Sequence, residues 1–130
     1  MKKSISILLS RLLMGIIYLV FGLNGFLHFI PLPPMNGKDG ALISALINSG
    51  YLFSVVKALE VLLGIFLLSG RYIPLTLVVL FPITFNIFLF HLFLNPPGMP
   101  IAILLLSTHF YLAIVHRRYY FSLFIAKTDL

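Results

Sequence analysis

The chain has 130 residues, of which 61% are hydrophobic and only 9% are charged, and its formal net charge is +6. A soluble domain of this size needs a polar surface that this composition does not supply, so a soluble globular fold is excluded. The chain contains no cysteine, which excludes disulfides, thiolate-bound metal and thiol redox chemistry of its own. The sequence therefore predicts an all-α integral membrane four-helix bundle that forms a single domain over residues 1–130.

Four apolar runs are each long enough to cross about 30 Å of hydrocarbon at about 1.5 Å per residue. In chain order, the predicted membrane-spanning helices cover residues 12–30, 51–69, 73–94 and 100–116. A cleaved signal peptide is not favoured, because Arg11 interrupts the apolar start of the chain, no small-residue cleavage pattern follows, and the apolar run continues to Ile30.

The connection after the first span is the only substantial loop. The proline-rich segment 31–34 ends the first helix. Apolar residues then recur at Leu42, Ala45 and Leu46, which predicts a short helix over residues 41–48 that lies in the outer membrane interface.

Small residues predict which spans pack closely. Gly15, Gly22 and Gly25 on the first span and Gly64 on the second would let two helix backbones approach each other. Pro82 within the third span predicts a kink that frees a backbone carbonyl.

The basic residues predict the orientation in the membrane. Seven of them fall on one side of the four predicted spans: Lys2, Lys3, Arg11, Arg71, Arg117, Arg118 and Lys127. The other side holds only Lys38, next to Asp39. The positive-inside rule therefore predicts a multi-pass protein of the cell membrane with both termini in the cytoplasm. The positive charge is explained by topology, so no nucleic-acid partner is expected.

Lys57 and Glu60 are charged residues inside the second predicted span, three positions apart. A charge at the bilayer centre costs about 2.5–3.5 kcal/mol on insertion scales, so such residues face the protein interior and are usually functional. Their i,i+3 spacing predicts an ion pair.

Counting from the outer boundary at about 1.5 Å per residue, several polar residues fall in one layer about 9–14 Å deep. They are Asn24, Lys57, Asn86, Thr108 and His109. His28 and His91 lie above this layer, and Glu60 lies slightly below it. Either these side chains form a polar pocket, or they hold helices together by hydrogen bonds.

Several segments together resemble the DoxX family of small four-helix membrane proteins. They are residues 21–29, 50–51, 56–61, 71–75 and 86–91, together with the Pro-Pro-Gly turn before the fourth span. The family is named from membrane subunits associated with thiosulfate:quinone oxidoreduction. The resemblance implies an oxidoreductase subunit that needs a redox carrier from elsewhere, because this chain lacks cysteine.

The first functional hypothesis is therefore a membrane subunit that binds a quinone or a similar hydrophobic ligand in the outer polar layer. Lys57, Glu60 and His109 are the candidate catalytic residues, with Lys57 or His109 bonding a quinone carbonyl and Glu60 relaying protons. Cofactor binding is assigned to four further residues: Asn24, His28, Asn86 and His91.

Other hypotheses remain open at this stage. Haem b held between His28 and His91 is a second cofactor candidate. No metal ion is expected, since Glu60 lies too deep to join the two histidines. A non-enzymatic assembly factor would use the apolar exterior to bind another membrane or redox protein, or a second copy in a homo-oligomer. A small transporter or channel would require oligomerisation.

Overall fold

The computed structural model describes residues 1–129, and within that range the chain is helical with no β-strand. There are five α-helices and two short 3₁₀ segments. The α-helices are α1 (Lys2–Leu27), α2 (Lys38–Asn48), α3 (Leu52–Ser69), α4 (Ile73–Phe93) and α5 (Met99–Val115). The 3₁₀ segments are Pro96–Gly98, which leads into α5, and Arg117–Phe124, which follows it.

Four helices are long and apolar enough to cross a membrane: α1, α3, α4, and α5 together with the 3₁₀ turn before it. Their outward faces carry large apolar side chains, among them Leu62, Ile65 and Ile103. An apolar exterior of this kind suits a hydrocarbon solvent rather than water. The predictions of an all-helical fold and of four candidate membrane spans are confirmed.

The second, third and fourth predicted spans agree with the structure to within one residue at each end. The first differs, because α1 begins at Lys2 rather than at residue 12 and ends at Leu27 rather than at residue 30. The helix continues through Arg11 because backbone hydrogen bonding does not require apolar side chains. It ends at Leu27 because His28 adopts the left-handed conformation, with φ 53°.

Helices α1 and α3 pack antiparallel at very short range, as the glycines predicted. A β-carbon added at Gly64 would lie 2.9 Å from the backbone nitrogen of Leu19 and 3.1 Å from the carbonyl oxygen of Gly15. At Gly22 the added atom would lie 3.0 Å from the backbone nitrogen of Val61. The two backbones are thus nearly in contact, which only glycine permits.

The bundle has two distinct ends. At one, here called the basic end, the guanidinium of Arg11 packs against Gly70 in the α3–α4 turn, and the Tyr120 hydroxyl donates to the Pro74 carbonyl at 3.0 Å. At the other, the loop end, the Asn95 side chain donates to Asp39 at 3.0 Å. Between the two ends lies an apolar core that includes Met14, Tyr18, Leu63, Leu67, Leu77, Leu80, Leu105 and Leu112.

Candidate functional site

Lys57 and Glu60 form an ion pair on α3, and the Lys57 Nζ to Glu60 Oε2 distance is 3.1 Å. The predicted i,i+3 pairing is therefore present. The Lys57 side chain is 20% exposed, whereas the Glu60 side chain is 6% exposed. The Glu60 side chain is thus enclosed by the protein, whereas part of the Lys57 side chain is accessible from outside the bundle.

Helix α1 positions this pair. The aliphatic stem of Lys57 crosses Gly25, where an added β-carbon would lie 2.5 Å from the lysine Cγ. The Nζ atom lies 5.5 Å from the centre of the Phe53 ring, within range of a cation–π contact. Among the described residues, Glu60 is the one hydrogen-bond acceptor for Nζ. An ammonium group has three N–H donors, so two of them remain for a bound molecule.

Asn24 lies next to Gly25, but its side chain is occupied by the backbone of its own chain. The Ile30 N–H donates to Asn24 Oδ1 at 2.7 Å, and Asn24 Nδ2 donates to the Ile30 carbonyl at 3.2 Å. These two bonds hold the segment that follows α1 against the helix. The geometry accounts for the burial of Asn24 without a ligand.

His109 belongs to a buried chain of hydrogen bonds that connects three helices. Its Nε2 lies 2.9 Å from the Leu77 carbonyl oxygen, and its Nδ1 lies 3.0 Å from Thr84 Oγ1. Thr84 Oγ1 in turn lies 2.5 Å from the Tyr18 hydroxyl. His109, Thr84 and Tyr18 are each almost fully buried, so this chain lies within the core.

The Leu77 carbonyl, at one end of this series of hydrogen bonds, determines which group donates in each bond. A carbonyl oxygen only accepts, so His109 Nε2 carries a proton toward Leu77. A neutral imidazole then accepts at Nδ1, which makes Thr84 the donor to His109 and Tyr18 the donor to Thr84. Every polar atom of the three side chains has a partner in this arrangement. His109 therefore has no free ring nitrogen for a ligand.

One edge of the His109 ring lines an apolar cleft of about 320 Å³ between α4 and α5. Phe81, Phe110 and Val78 form its walls, and Tyr120 of the C-terminal 3₁₀ segment closes it toward the basic end. The lining offers almost no hydrogen-bonding group, so the cleft suits a hydrocarbon chain better than a polar head.

His28 and His91 both lie toward the loop end, but in different settings. His28 is exposed and ends α1. His91 Nδ1 donates to the Asn95 carbonyl at 3.0 Å, and its ring packs directly on Gly98. No described side chain joins the two histidines in a common site.

Asp39 joins the N-terminus of α2 to the connection between α4 and α5 at the loop end. Its Oδ1 accepts from the Gly40 N–H at 2.8 Å, and its Oδ2 accepts from Asn95 Nδ2 at 3.0 Å. Hydrogen bonds to the carboxylate favour the ionised form and lower the pKa of Asp39 below its ordinary value of 3.8. The bond from the Gly40 N–H has the larger effect, followed by the bond from Asn95.

The predicted polar layer is thus divided. Lys57 and Glu60 lie together at the α1–α3 interface, with Asn24 beside them. His109 is level with Tyr18, which precedes Gly25 by seven residues and so lies about 11 Å nearer the basic end of α1. Asn86 is exposed on the outside of α4 and does not reach the interior.

Sequence reasoning missed four residues with clear roles: Tyr18, Thr84, Asp39 and Asn95. Tyr18 and Thr84 carried a usable signal, because each is a hydroxyl-bearing residue in the middle of an apolar span. Asp39 and Asn95 carried none, since their contact joins the N-terminus of α2 to the connection after α4, and the two residues are 56 positions apart.

Within residues 1–129, no group of three or more His, Cys, Asp or Glu side chains is arranged to hold a metal ion. Comparison with known proteins identifies no relative, since no family model, no curated protein and no solved structure matches the chain.

Proposed function

We propose that this chain is a multi-pass protein of the cell membrane with both termini in the cytoplasm. The basic end carries Arg11 and Arg71, and the loop end carries Lys38 next to Asp39, which is the charge asymmetry that the positive-inside rule describes. On this orientation α2 lies in the outer interface, with Ile43 and Leu46 half-buried against the bundle.

We propose further that the Lys57–Glu60 pair binds the polar head of a membrane-soluble ligand, with a quinone as the first candidate. One observation carries this proposal: a lysine within an apolar span, with a partly exposed side chain, whose ammonium group has Glu60 as its one acceptor among the described residues. A purely structural ion pair would be expected to use all its donors within the protein. A quinone carbonyl oxygen accepts hydrogen bonds and brings no charge of its own.

Each residue of the pair has a distinct part in this proposal. Lys57 donates to the carbonyl oxygen and stabilises negative charge that develops there on reduction. Glu60 compensates the lysine charge and exchanges the proton that the reduced oxygen takes up. Reduction of a quinone to a quinol consumes two electrons and two protons, and the electrons come from a redox partner protein. We base the redox-subunit role on the segments that resemble the DoxX family.

The other candidate residues take different parts. His109 positions helices and Asn24 holds the segment after α1, because their side-chain polar groups are bonded within the protein. His91 stabilises the turn before α5. The proposed binding site is therefore limited to Lys57 and Glu60, and haem b is not part of it.

The test is quinone binding by the protein purified in mild detergent. Bound quinone would be extracted and quantified by reversed-phase chromatography, and a short-chain ubiquinone would then be titrated by isothermal calorimetry. We expect Lys57→Met and Glu60→Gln to weaken binding at least tenfold. Lys38→Met is the matched control, since it removes the same charge from the exposed N-terminus of α2. Unchanged binding by Lys57→Met would contradict the proposal.

A second candidate is a non-enzymatic partner-binding or assembly subunit. The Tyr18–Thr84–His109 chain favours it, because these buried polar groups are satisfied by one another and serve helix packing. On this alternative the purified protein contains no quinone and brings down another membrane protein at a fixed ratio. A pull-down from native membranes with a tagged chain distinguishes the two candidates.

A further inference from the structure

Asn86 is a polar residue on the outer surface of an apolar membrane span. It is exposed, and no side-chain hydrogen bond joins it to any residue within 1–129. It precedes Phe93, the last residue of α4, by seven positions, which places it about 11 Å inside the helix end. At that depth its surroundings outside the bundle are hydrocarbon.

A carboxamide at this position is costly. It has two N–H donors and a carbonyl acceptor, and lipid chains satisfy none of them. The exposed Ser107 on α5 differs, because a serine hydroxyl can donate to a carbonyl of its own helix. Asn86 therefore needs a partner from outside the bundle, and a contact that supplies one is stabilised.

The side chains around Asn86 form a regular stripe along α4. Its members follow the spacing 4, 3, 4, 3, 4 and are Leu75, Val79, Pro82, Asn86, Leu89 and Phe93. All are exposed except Leu89, which is half-buried. Such a 3.5-residue repeat is the seam of a left-handed helix pair. The opposite side of α4, which includes Leu77, Leu80 and Thr84, is buried in the chain's own core.

We propose that this α4 stripe is the contact surface of a homodimer, in which Asn86 hydrogen-bonds to Asn86 of the partner subunit. A carboxamide carries both donors and an acceptor, so it is complementary to itself. A twofold axis through the stripe brings the same residue of both copies together. A single polar residue in an apolar seam also fixes the register, because any slip leaves both carboxamides unpaired.

Cysteine cross-linking tests the surface directly, since the chain has no native cysteine. Val79→Cys places a thiol on the stripe two helical turns from Asn86, and Ile103→Cys places one on the exposed face of α5. After oxidation in native membranes, we expect a disulfide-linked dimer from Val79→Cys and little from Ile103→Cys. Equal cross-linking at both positions, or a Val79→Cys product that contains a different protein, would overturn the proposal.

The role of Asn86 is tested by adding Asn86→Leu to the Val79→Cys chain. Loss of the interhelical hydrogen bonds should raise the dimer dissociation constant about 3- to 30-fold. The monomer fold should be unaffected, because the side chain lies outside the bundle, and an unchanged thermal midpoint in dissociating detergent checks this. A dimer of undiminished affinity would overturn the assignment of Asn86. The test is independent of quinone binding, which depends on Lys57.

Discussion

Gly25 and Lys57 occupy one another's space: a β-carbon at position 25 would lie 2.5 Å from Cγ of the lysine. The lysine stem thus fills a groove in α1 that exists because residue 25 has no side chain. The stem cannot swing toward α1, and its Nζ lies 3.1 Å from Glu60 Oε2 on the same helix. Helix packing and the orientation of the candidate ligand-binding group are therefore coupled.

The α1–α3 interface should be sensitive to a single methyl group. In Gly64→Ala, the added carbon would contact backbone atoms of Leu19 and Gly15, which cannot rotate away. We expect a loss of about 1–2 kcal/mol, since overpacking outweighs the higher helix propensity of alanine. Thermal unfolding in detergent measures it. Gly37→Ala is the control, because its nearest neighbour atom would lie at 3.5 Å; an equal loss in both variants would contradict the prediction.

The Lys57–Glu60 pair should show strong thermodynamic coupling. Lys57→Met or Glu60→Gln alone leaves one polar or charged group unpaired in the membrane, and each should cost about 1–3 kcal/mol. The double variant should lose less than the sum of the two single losses, because it leaves no unpaired charge. A double-mutant cycle by thermal unfolding measures the coupling. Strictly additive losses would show that the two side chains do not interact.

Thr84 and Thr108 are buried threonines that should respond differently to the same substitution. Thr84→Val removes the hydroxyl between Tyr18 and His109 and leaves both unpaired in the core, at a cost of about 1–3 kcal/mol. Thr108 donates to the Leu104 carbonyl of its own helix, so Thr108→Val should change stability by less than about 0.5 kcal/mol. Equal melting temperatures of the two variants would count against a structural role for the hydrogen bonds that join Tyr18, Thr84 and His109.

The loop end should weaken in acid through Asp39. The pKa of its carboxyl is lowered in the folded protein, so its contribution is present above the ordinary value of 3.8 and is lost as the pH falls through the folded-state value. We expect the thermal midpoint of the native protein to fall more steeply than that of Asp39→Asn between pH 5 and about pH 3. Glu60 and Asp129 are present in both proteins, so their titration does not contribute to the difference between the two profiles. Parallel pH profiles would refute the contribution of Asp39.

The sequence was sufficient for features that depend on spacing along one helix. Run length predicted the four spans, and the i,i+3 spacing predicted the Lys57–Glu60 bond, because each is local. The close approach of α1 and α3 was also predictable, since glycine is the residue that removes the steric limit. These predictions needed no knowledge of how the helices are rotated about their axes.

The sequence does not predict how each helix is rotated about its own axis, and therefore which side chains face the core. Apolar residues surround α4 on every side, so no amphipathic pattern indicates whether Asn86 faces the core or the lipid. Depth alone placed Asn86, His109 and Lys57 in one layer, but they face different directions in the structure. The end of α1 was missed for a related reason, because the Asn24 side chain bonds a non-helical residue six positions later.

The length of α1 has a consequence for how the molecule sits in a bilayer. Its 26 residues extend about 39 Å, whereas the 18 residues of α3 extend about 27 Å. The first turns of α1 are held in place, since the hydroxyls of Ser6 and Tyr111 lie 2.5 Å apart. Because Arg11 lies beside the α3–α4 turn, we expect residues 2–10 to project beyond the hydrocarbon at the basic end, with the exposed side chains of Ile5, Leu8 and Leu9 in the headgroup region.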